Sequence, residues 1–117
     1  MKKPTVVYNP FDVVLVPFPF IDVIEHKRRP ALIISSVQKF NIESGACVMA
    51  MITSANHNPW PLDTEINELE IAGLPVQSII RMKLFTLDQR LILKNLGNLS
   101  NRDRKLFSAN LKQLFDQ

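Results

Sequence analysis

One short stretch of the chain passes abruptly from cations to an apolar run: Lys27-Arg28-Arg29-Pro30-Ala31-Leu32-Ile33-Ile34-Ser35. Residues 31–35 barely alternate with polar residues, which is typical of a strand buried on both faces. Pro30 disfavours helix for Arg29, so this guanidinium is expected at the entrance to the strand. A second apolar run ends in Ile52-Thr53-Ser54, with two hydroxyls. A guanidinium and hydroxyls on rigid strand ends suit a phosphate ligand, and therefore indicate RNA or DNA.

Most of the remaining chain consists of short strand-like segments, at residues 12–16, 46–53, 64–69, 76–82 and 91–96. Only the end looks helical. Ser100 and Asp103 form a capping-box pattern, and Phe107, Leu111 and Leu114 recur on one helical face. Because strands do not alternate with helices, a parallel sheet is not expected. The sequence predicts one mainly β domain over residues 1–117, a small, strongly bent antiparallel barrel with a C-terminal helix.

Composition restricts the compartment and the partners. The 117 residues are 46% hydrophobic and carry a formal net charge of +3, with cations concentrated between Arg81 and Lys112. This asymmetry permits contact with nucleic acid and fits a solvated helix face equally well. Cys47 is alone, which suits a reducing compartment. The longest apolar stretch, residues 13–21, is interrupted by two prolines and is too short to span a membrane, so a cytoplasmic protein is expected.

Each candidate site residue also has a plainer structural interpretation. Arg29 could cover apolar surface, or pair with Asp22 or Glu25. Thr53 and Ser54 could simply bond to the nearby backbone where their strand ends. Their interest lies in position, because both follow a buried strand and open a long polar loop.

The loops contribute further candidates. His26 and His57 have ordinary pKa values near neutrality, and His57 is the better acid–base candidate because it follows the hydroxyls closely. Two distant histidines and one cysteine make no zinc spacing, so neither a metal nor another cofactor is predicted. The indole of Trp60, between two prolines, could stack on a base or cover the core. The candidate RNA contacts are loop and strand side chains that are cationic or aromatic: Lys27, Arg28, Trp60 and Arg81.

Five motifs, in order, resemble the PemK/MazF family, the toxins of type II toxin–antitoxin pairs. They are Asp12-Val13-Val14-Leu15-Val16-Pro17-Phe18-Pro19-Phe20, Arg28-Arg29-Pro30-Ala31-Leu32-Ile33-Ile34-Ser35, Ile52-Thr53-Ser54, Ser78-Ile79-Ile80-Arg81 and Leu84-Phe85-Thr86-Leu87-Asp88. The resemblance implies a homodimeric SH3-like barrel with a C-terminal helix. It implies a metal-independent, sequence-selective endoribonuclease that cuts single-stranded mRNA. It also implies a bound antitoxin that holds the toxin inactive, with DNA reached only through that antitoxin.

The resemblance also assigns roles to residues. The catalytic arginine of the family's Arg-Pro motif corresponds to Arg29, and its strand-end threonine to Thr53, which Ser54 extends. The family often carries a glutamate before this motif, and Glu25 is the nearest equivalent. Where the family has Gly-Asp before its first strand, this chain has Phe11-Asp12. Phenylalanine resists the positive φ that glycine accepts, so a reshaped loop entry is expected.

Metal-free RNA cleavage would use the substrate's own 2′-hydroxyl as the nucleophile. Arg29 and the hydroxyls could stabilise the charge that develops on the phosphorane oxygens. A guanidinium, with a pKa above ~12, is a poor base, which leaves Glu25, His26 or His57 to take the proton. Two other functions stay open: a toxin of the same barrel that poisons DNA gyrase by binding, and an inactive relative that binds only antitoxin or RNA.

Overall fold

A computed structural model describes residues 6–17, 27–56 and 58–116. These residues form one curled antiparallel sheet, a half-barrel, with a long C-terminal helix. The strands are β1 (Asp12–Pro17), β2 (Arg28–Ile33), β3 (Ala46–Ser54), β4 (Thr64–Glu65), β5 (Ser78–Asp88) and β6 (Lys94–Asn98), in the spatial order β4-β5-β3-β2-β1-β6. The helices are α1 (Ile42–Ser44), α2 (Leu69–Ala72) and α3 (Asn101–Leu114). The prediction of a mainly β, bent antiparallel fold with a C-terminal helix is confirmed.

Apolar side chains are buried on both faces of this sheet, which explains why β2 does not alternate. One face, here called the helix face, packs against Phe107 of α3 and includes Val13, Leu32, Ala50, Ile52 and Ile80. The opposite face, here called the far face, buries Val14, Val16, Ala31, Ile33, Cys47 and Met49. Successive residues of a strand point to opposite faces, so odd and even positions of β2 and β3 belong to different faces.

Helix α3 begins as the capping pattern predicts. The Ser100 hydroxyl accepts a hydrogen bond from the backbone N of Asp103 at 3.1 Å. The predicted apolar stripe is only partly buried. Phe107 lies in the core and Leu111 packs against it, whereas Leu114 is 38% exposed. The buried part of the stripe therefore ends before the helix does.

Several predicted boundaries are wrong. Residues 64–69 do not form one strand, since β4 has two residues and α2 begins at Leu69. Residues 37–44, which carry no helical apolar pattern, form a π-helical turn and α1 after the Ser36 hydroxyl caps the backbone N of Lys39. β5 extends six residues past the predicted end at residue 82, because a two-residue register shift opposite Ala50/Met51 lets it bend with the sheet.

Close backbone contact joins the two edges of the curled sheet. α2, which follows edge strand β4, packs on β6, the other edge strand. Gly97 permits this contact, because a Cβ there would lie 2.3 Å from the carbonyl oxygen of Ile71. Gly73 ends α2 with φ +73° and lies equally close to Leu96. Within the described parts of the chain, no helix is long and apolar enough to cross a membrane.

Candidate active site

Arg29 lies within β2 rather than in the loop before it. It pairs with Val16 of β1. On the other side of β2, Ala31, Leu32 and Ile33 pair with Met51, Ala50 and Met49 of β3. The pairing of β2 with β3 ends at Ala31. If this register is continued by two residues along both strands, Arg29 lies opposite Thr53.

Arg29 and Thr53 also share a face. Ala31 and Met49 are buried on the far face. Side chains alternate between the two faces along a strand, so Arg29, two residues before Ala31, and Thr53, four residues after Met49, belong to the far face as well. Directly opposite residues of antiparallel strands have Cβ atoms about 4.5–5.5 Å apart. Continued to these positions, the register therefore makes Arg29 and Thr53 neighbours on the far face of the sheet.

The surroundings hold these two side chains differently. Thr53 is 7% exposed, which fixes its hydroxyl at the edge of the packed surface. Arg29 is half-buried, and Nε, the guanidinium nitrogen bonded to Cδ, is buried. Ser54 pairs with Ser78 and has the parity of Ala50 and Ile52, which belong to the helix face. Of the two hydroxyls, the one beside Arg29 is that of Thr53.

The remaining cationic candidates flank the start of β2. Lys27 and Arg28 are both exposed, and Arg28 lies opposite Pro17, where β1 ends. Both side chains thus lie on the protein surface at the end of β2 that carries Arg29. The predicted acid–base candidates Glu25, His26 and His57 lie outside the described residues.

Trp60 and Arg81 meet in a loop that folds back on β5. We call residues 58–63 the indole loop. Arg81 is buried, and its guanidinium donates to Asp63 at 3.0 and 3.2 Å and to the carbonyl oxygen of Asn58 at 2.7 Å. Its Cζ lies 5.9 Å from the centre of the Trp60 ring, and Lys83 Nζ lies 4.5 Å from it. Arg81 thus serves the loop's own structure, and its predicted contact with RNA stays a prediction.

Sequence reasoning missed Lys83 and Asp63. Lys83 is exposed and is one of the two extra residues of β5 at the register shift opposite Ala50 and Met51. No local sequence pattern predicts the position of this shift. The only available signal for Asp63 was its spacing three residues after Trp60, which suits a side chain that caps a turn.

Phe11 replaces the glycine expected before β1, yet it adopts the left-handed conformation, with φ 75°. Its backbone N donates to the carbonyl oxygen of Ile33 at 2.7 Å, and its carbonyl oxygen accepts from the backbone N of Leu99 at 3.0 Å. The predicted resistance of phenylalanine to positive φ is thus overcome here by its bonds to two neighbouring strand ends.

Cys47 is a structural thiol. Burial, with a smaller contribution from nearby Asp12, raises the pKa of Cys47 to about 11. The thiol is therefore protonated at neutral pH and is a poor nucleophile. Among residues 6–17, 27–56 and 58–116, no group of three or more His, Cys, Asp or Glu side chains could hold a metal ion.

Comparison with known proteins agrees on one family. Residues 9–115 match the model of the PemK-like, MazF-like toxin of type II toxin–antitoxin system. The fold is similar to that of MazF from Deinococcus radiodurans, at 20% identity and a TM-score of 0.72 over 94% of this chain and 97% of that chain. It is similar to an endoribonuclease from Mycobacterial species in complex with its cognate antitoxin, at 14% identity and a TM-score of 0.70 over 91% and 92% of the two chains. It also resembles the Mycobacterium tuberculosis toxin MazF-mt6, at 15% identity and a TM-score of 0.69 over 90% and 96%. No curated protein sequence matches.

The curled antiparallel sheet with its C-terminal helix is thus the fold of a known class of small toxins. Because the family match spans nearly the whole chain, this protein belongs to the PemK/MazF family of toxins of type II toxin–antitoxin systems.

Proposed function

We propose that this toxin is an endoribonuclease that cleaves single-stranded RNA without a metal ion, with Arg29 and Thr53 as its catalytic pair. The observation that carries the proposal is their placement on one face of neighbouring strands, from positions 24 residues apart in the sequence. The similar mycobacterial structure is itself named an endoribonuclease, which supports this activity among proteins of the same fold.

The chemistry follows from the groups that the site holds. The 2′-oxygen of the substrate attacks the adjacent phosphorus, the bond to the 5′-oxygen breaks, and a 2′,3′-cyclic phosphate and a 5′-hydroxyl result. Negative charge grows on the non-bridging oxygens as the bond forms. The Arg29 fork and the Thr53 hydroxyl stabilise that charge, and DNA is not cut because it lacks the nucleophile.

Arg29 needs help with the proton of the 2′-hydroxyl, because a guanidinium stays protonated. Glu25, His26 and His57 are the candidates, since in the sequence Glu25 and His26 stand shortly before β2 and His57 shortly after β3. A histidine base would make the rate rise through a pH near ~6.5, whereas a glutamate would act already at lower pH.

The proposal also covers partners. Exposed Lys27 and Arg28 hold the RNA backbone as it approaches Arg29. An antitoxin binds this toxin and holds it inactive. The mycobacterial endoribonuclease of similar fold is in complex with its cognate antitoxin, which supports such a partner. The working toxin is a homodimer in the cytoplasm, and the loops around the site select the sequence that is cut.

Cleavage of RNA in the presence of EDTA tests this proposal. Arg29→Ala removes a transition-state donor, so we expect kcat to fall by about 10²–10³, and Thr53→Val to lower it by a smaller factor. Ser54→Ala is the matched control, because it deletes a hydroxyl next in sequence but on the other face. Product ends are identified by whether the 3′ fragment accepts phosphate from a kinase without prior treatment.

Three results would contradict the proposal. Intact RNA with the wild-type toxin would favour a protein that acts by binding alone, either on gyrase or on the antitoxin. Cleavage by Arg29→Ala at the wild-type rate would remove this site from the chemistry. Activity that EDTA abolishes and Mg²⁺ restores would show that a metal takes part.

A further inference from the structure

The Trp60 ring of the indole loop is exposed to solvent, although hydrogen bonds hold the loop in place. Trp60 is 42% exposed, although large aromatic side chains usually bury most of their surface. We propose that Trp60 and Lys83 form a nucleotide platform for the substrate RNA. In it, the indole stacks on one base, Lys83 binds a neighbouring phosphate, and Arg81 and Asp63 are positioning residues. The proposal rests on the proposed function and specifies where a flanking nucleotide binds.

The backbone on both sides of Trp60 is fixed by hydrogen bonds. Oδ2 of Asp63 accepts from the backbone N of Trp60 at 2.9 Å, and the backbone N of Asp63 donates to the carbonyl oxygen of Trp60 at 3.2 Å. The same carboxylate accepts two bonds from Arg81, which also holds Asn58. One buried guanidinium therefore ties both ends of the loop to β5.

Helix α3 supports the same point from the other side. The side-chain amide of Asn110 donates to the hydroxyl of Thr64 at 2.8 Å, in the residue that follows Asp63. The loop is thus anchored to β5 through Arg81 and to α3 through Asn110. A ring that is already held in place loses little conformational freedom on binding, and this preorganisation favours affinity.

The platform is continuous with the catalytic pair. Arg81 pairs with Met51 of β3, and Thr53 pairs with Ile79 of β5. Arg81 and Thr53 have the same parity and are diagonal neighbours, with Cα atoms about 7–8 Å apart. The indole loop is therefore anchored to β5 at a residue next to Thr53, where a nucleotide adjacent to the scissile phosphate would lie.

The charge at the ring favours nucleic acid over an apolar partner. Two cations approach the indole, and Asp63, the acid of the indole loop, is ion-paired with Arg81 at 3.0 Å. Lys83 is exposed and flexible, so its ammonium can leave the ring for a phosphate oxygen without disturbing the loop. An indole beside mobile and fixed cations matches the stacking and electrostatic parts of single-strand recognition.

Trp60 reports directly on stacking, because it is the chain's one tryptophan. The wild-type protein is titrated with a mixed-sequence 2′-O-methyl RNA oligonucleotide, which cannot supply the nucleophile. We expect its indole emission to be quenched on binding. Inorganic polyphosphate, which offers charge without bases, is the matched ligand control and should bind without that quenching.

Variants separate the parts of the platform, with affinity measured by anisotropy of the labelled oligonucleotide. Trp60→Leu should weaken binding roughly 5- to 150-fold, the range for one stacked base, while Trp60→Phe keeps most of it. Lys83→Gln should reduce the slope of log K against log salt by about 0.7, the value for one phosphate contact on a single strand. Lys94→Gln removes a charge that is also exposed but lies on β6, the edge strand farthest from β4 in the sheet order, and should leave the slope unchanged.

The positioning role is tested by a double-mutant cycle. Asp63→Asn should weaken binding when Trp60 is present and have no further effect in the Trp60→Leu background, because Asp63 acts only through the ring. A general loss of structure would weaken both backgrounds alike, and thermal unfolding of each variant detects it.

The outcomes distinguish this inference from the proposed function. If the wild-type protein cleaves RNA, and the Trp60→Leu variant cleaves and binds RNA equally well, the platform is overturned and the nuclease stands. If RNA is never cleaved but the oligonucleotide quenches Trp60, the nuclease is overturned and the platform stands. Quenching by an acidic peptide but not by the oligonucleotide would overturn the platform and assign the ring to a protein partner.

Discussion

Phe11 shows how neighbouring contacts maintain an unfavourable backbone conformation at a single residue. Its φ of 75° lies in the region that bulky L-residues avoid. Its ring packs against the helix-face cluster, and Arg104 Cζ lies 5.2 Å from the ring centre. These contacts, with two backbone hydrogen bonds, offset a conformational penalty of about 1–2 kcal/mol.

Replacement of Phe11 by glycine and by alanine separates the ring from the backbone. Both variants lose the ring, so both should unfold at lower urea concentration than the wild type. Glycine also removes the penalty of positive φ, so we expect Phe11→Gly to exceed Phe11→Ala in unfolding free energy by about 1 kcal/mol. An alanine variant as stable as the glycine variant would mean that residue 11 does not keep this conformation in solution.

At the scale of elements, Asp103 joins α3 to the start of α2. Its carboxylate is fully buried and accepts bonds from the backbone N of Asn67 at 3.0 and 3.1 Å, from that of Glu68 at 3.0 Å and from the Asn67 side chain at 2.9 Å. Burial alone raises the pKa of Asp103, but these bonds together lower it more, so its pKa lies below the ordinary value. The ionised carboxylate is thus the form that the fold stabilises.

The stability that Asp103 contributes should depend on pH. Because its pKa is lower in the folded state, the contribution is complete above the unfolded value of about 3.9 and is lost as the pH falls through the folded value. Asp103→Asn should lower the unfolding free energy at pH 7 by about 1–3 kcal/mol, since its NH₂ group faces donors. Urea unfolding from pH 7 to pH 2 should show this difference shrinking below pH 4.

A second carboxylate, that of Asp88, must be distinguished from Asp103 in that measurement. Its hydrogen bonds from Arg90 lower the pKa of Asp88 to about 2, so it titrates in the same acidic range. Asp88 is present in both proteins and therefore cancels in the difference. A difference that stayed constant down to pH 2 would contradict the assignment to Asp103.

At the scale of the whole molecule, the curl of the sheet depends on the contact between α2 and β6. The backbone at Gly97 and the last turn of α2 approach so closely that no side chain fits between them. This closure sets the curvature that places β2, β3 and β5 around the candidate site.

Gly97→Ala should therefore loosen the closure. The added methyl group forces the two segments apart, and we expect a loss of about 1–3 kcal/mol in unfolding free energy. Hydrogen exchange at the amides of Gly73 and Leu74, which bond within α2, should accelerate. Gly45→Ala is the control: it strains a residue at φ +73° that has nothing within 4 Å, so it should destabilise the protein without this local effect. Unchanged exchange in Gly97→Ala would contradict the role of this contact.

Much of the fold could be predicted from local patterns. The β-branched runs indicated β1, β2 and β3, and Ser100 indicated the start of α3, because these elements depend on nearby residues. The predictions failed where distant contacts decide, as at residues 64–69, where β4 has two residues and α2, which follows it, packs against β6. Arg29 and Thr53 were recognisable as candidates by residue type, strand position and family resemblance.

The sequence by itself thus determined β1, β2 and β3, the start of α3 and the kinds of groups that a phosphate site needs. Only the tertiary structure decided that Arg29 and Thr53 lie on one face, that Ser54 lies on the other, and that Arg81 supports Trp60 rather than standing free. The physical reason is register. Strand pairing, and the two-residue shift in β5, are set by the burial of both faces together, and such a shift changes side-chain neighbours without leaving a local signal in the sequence.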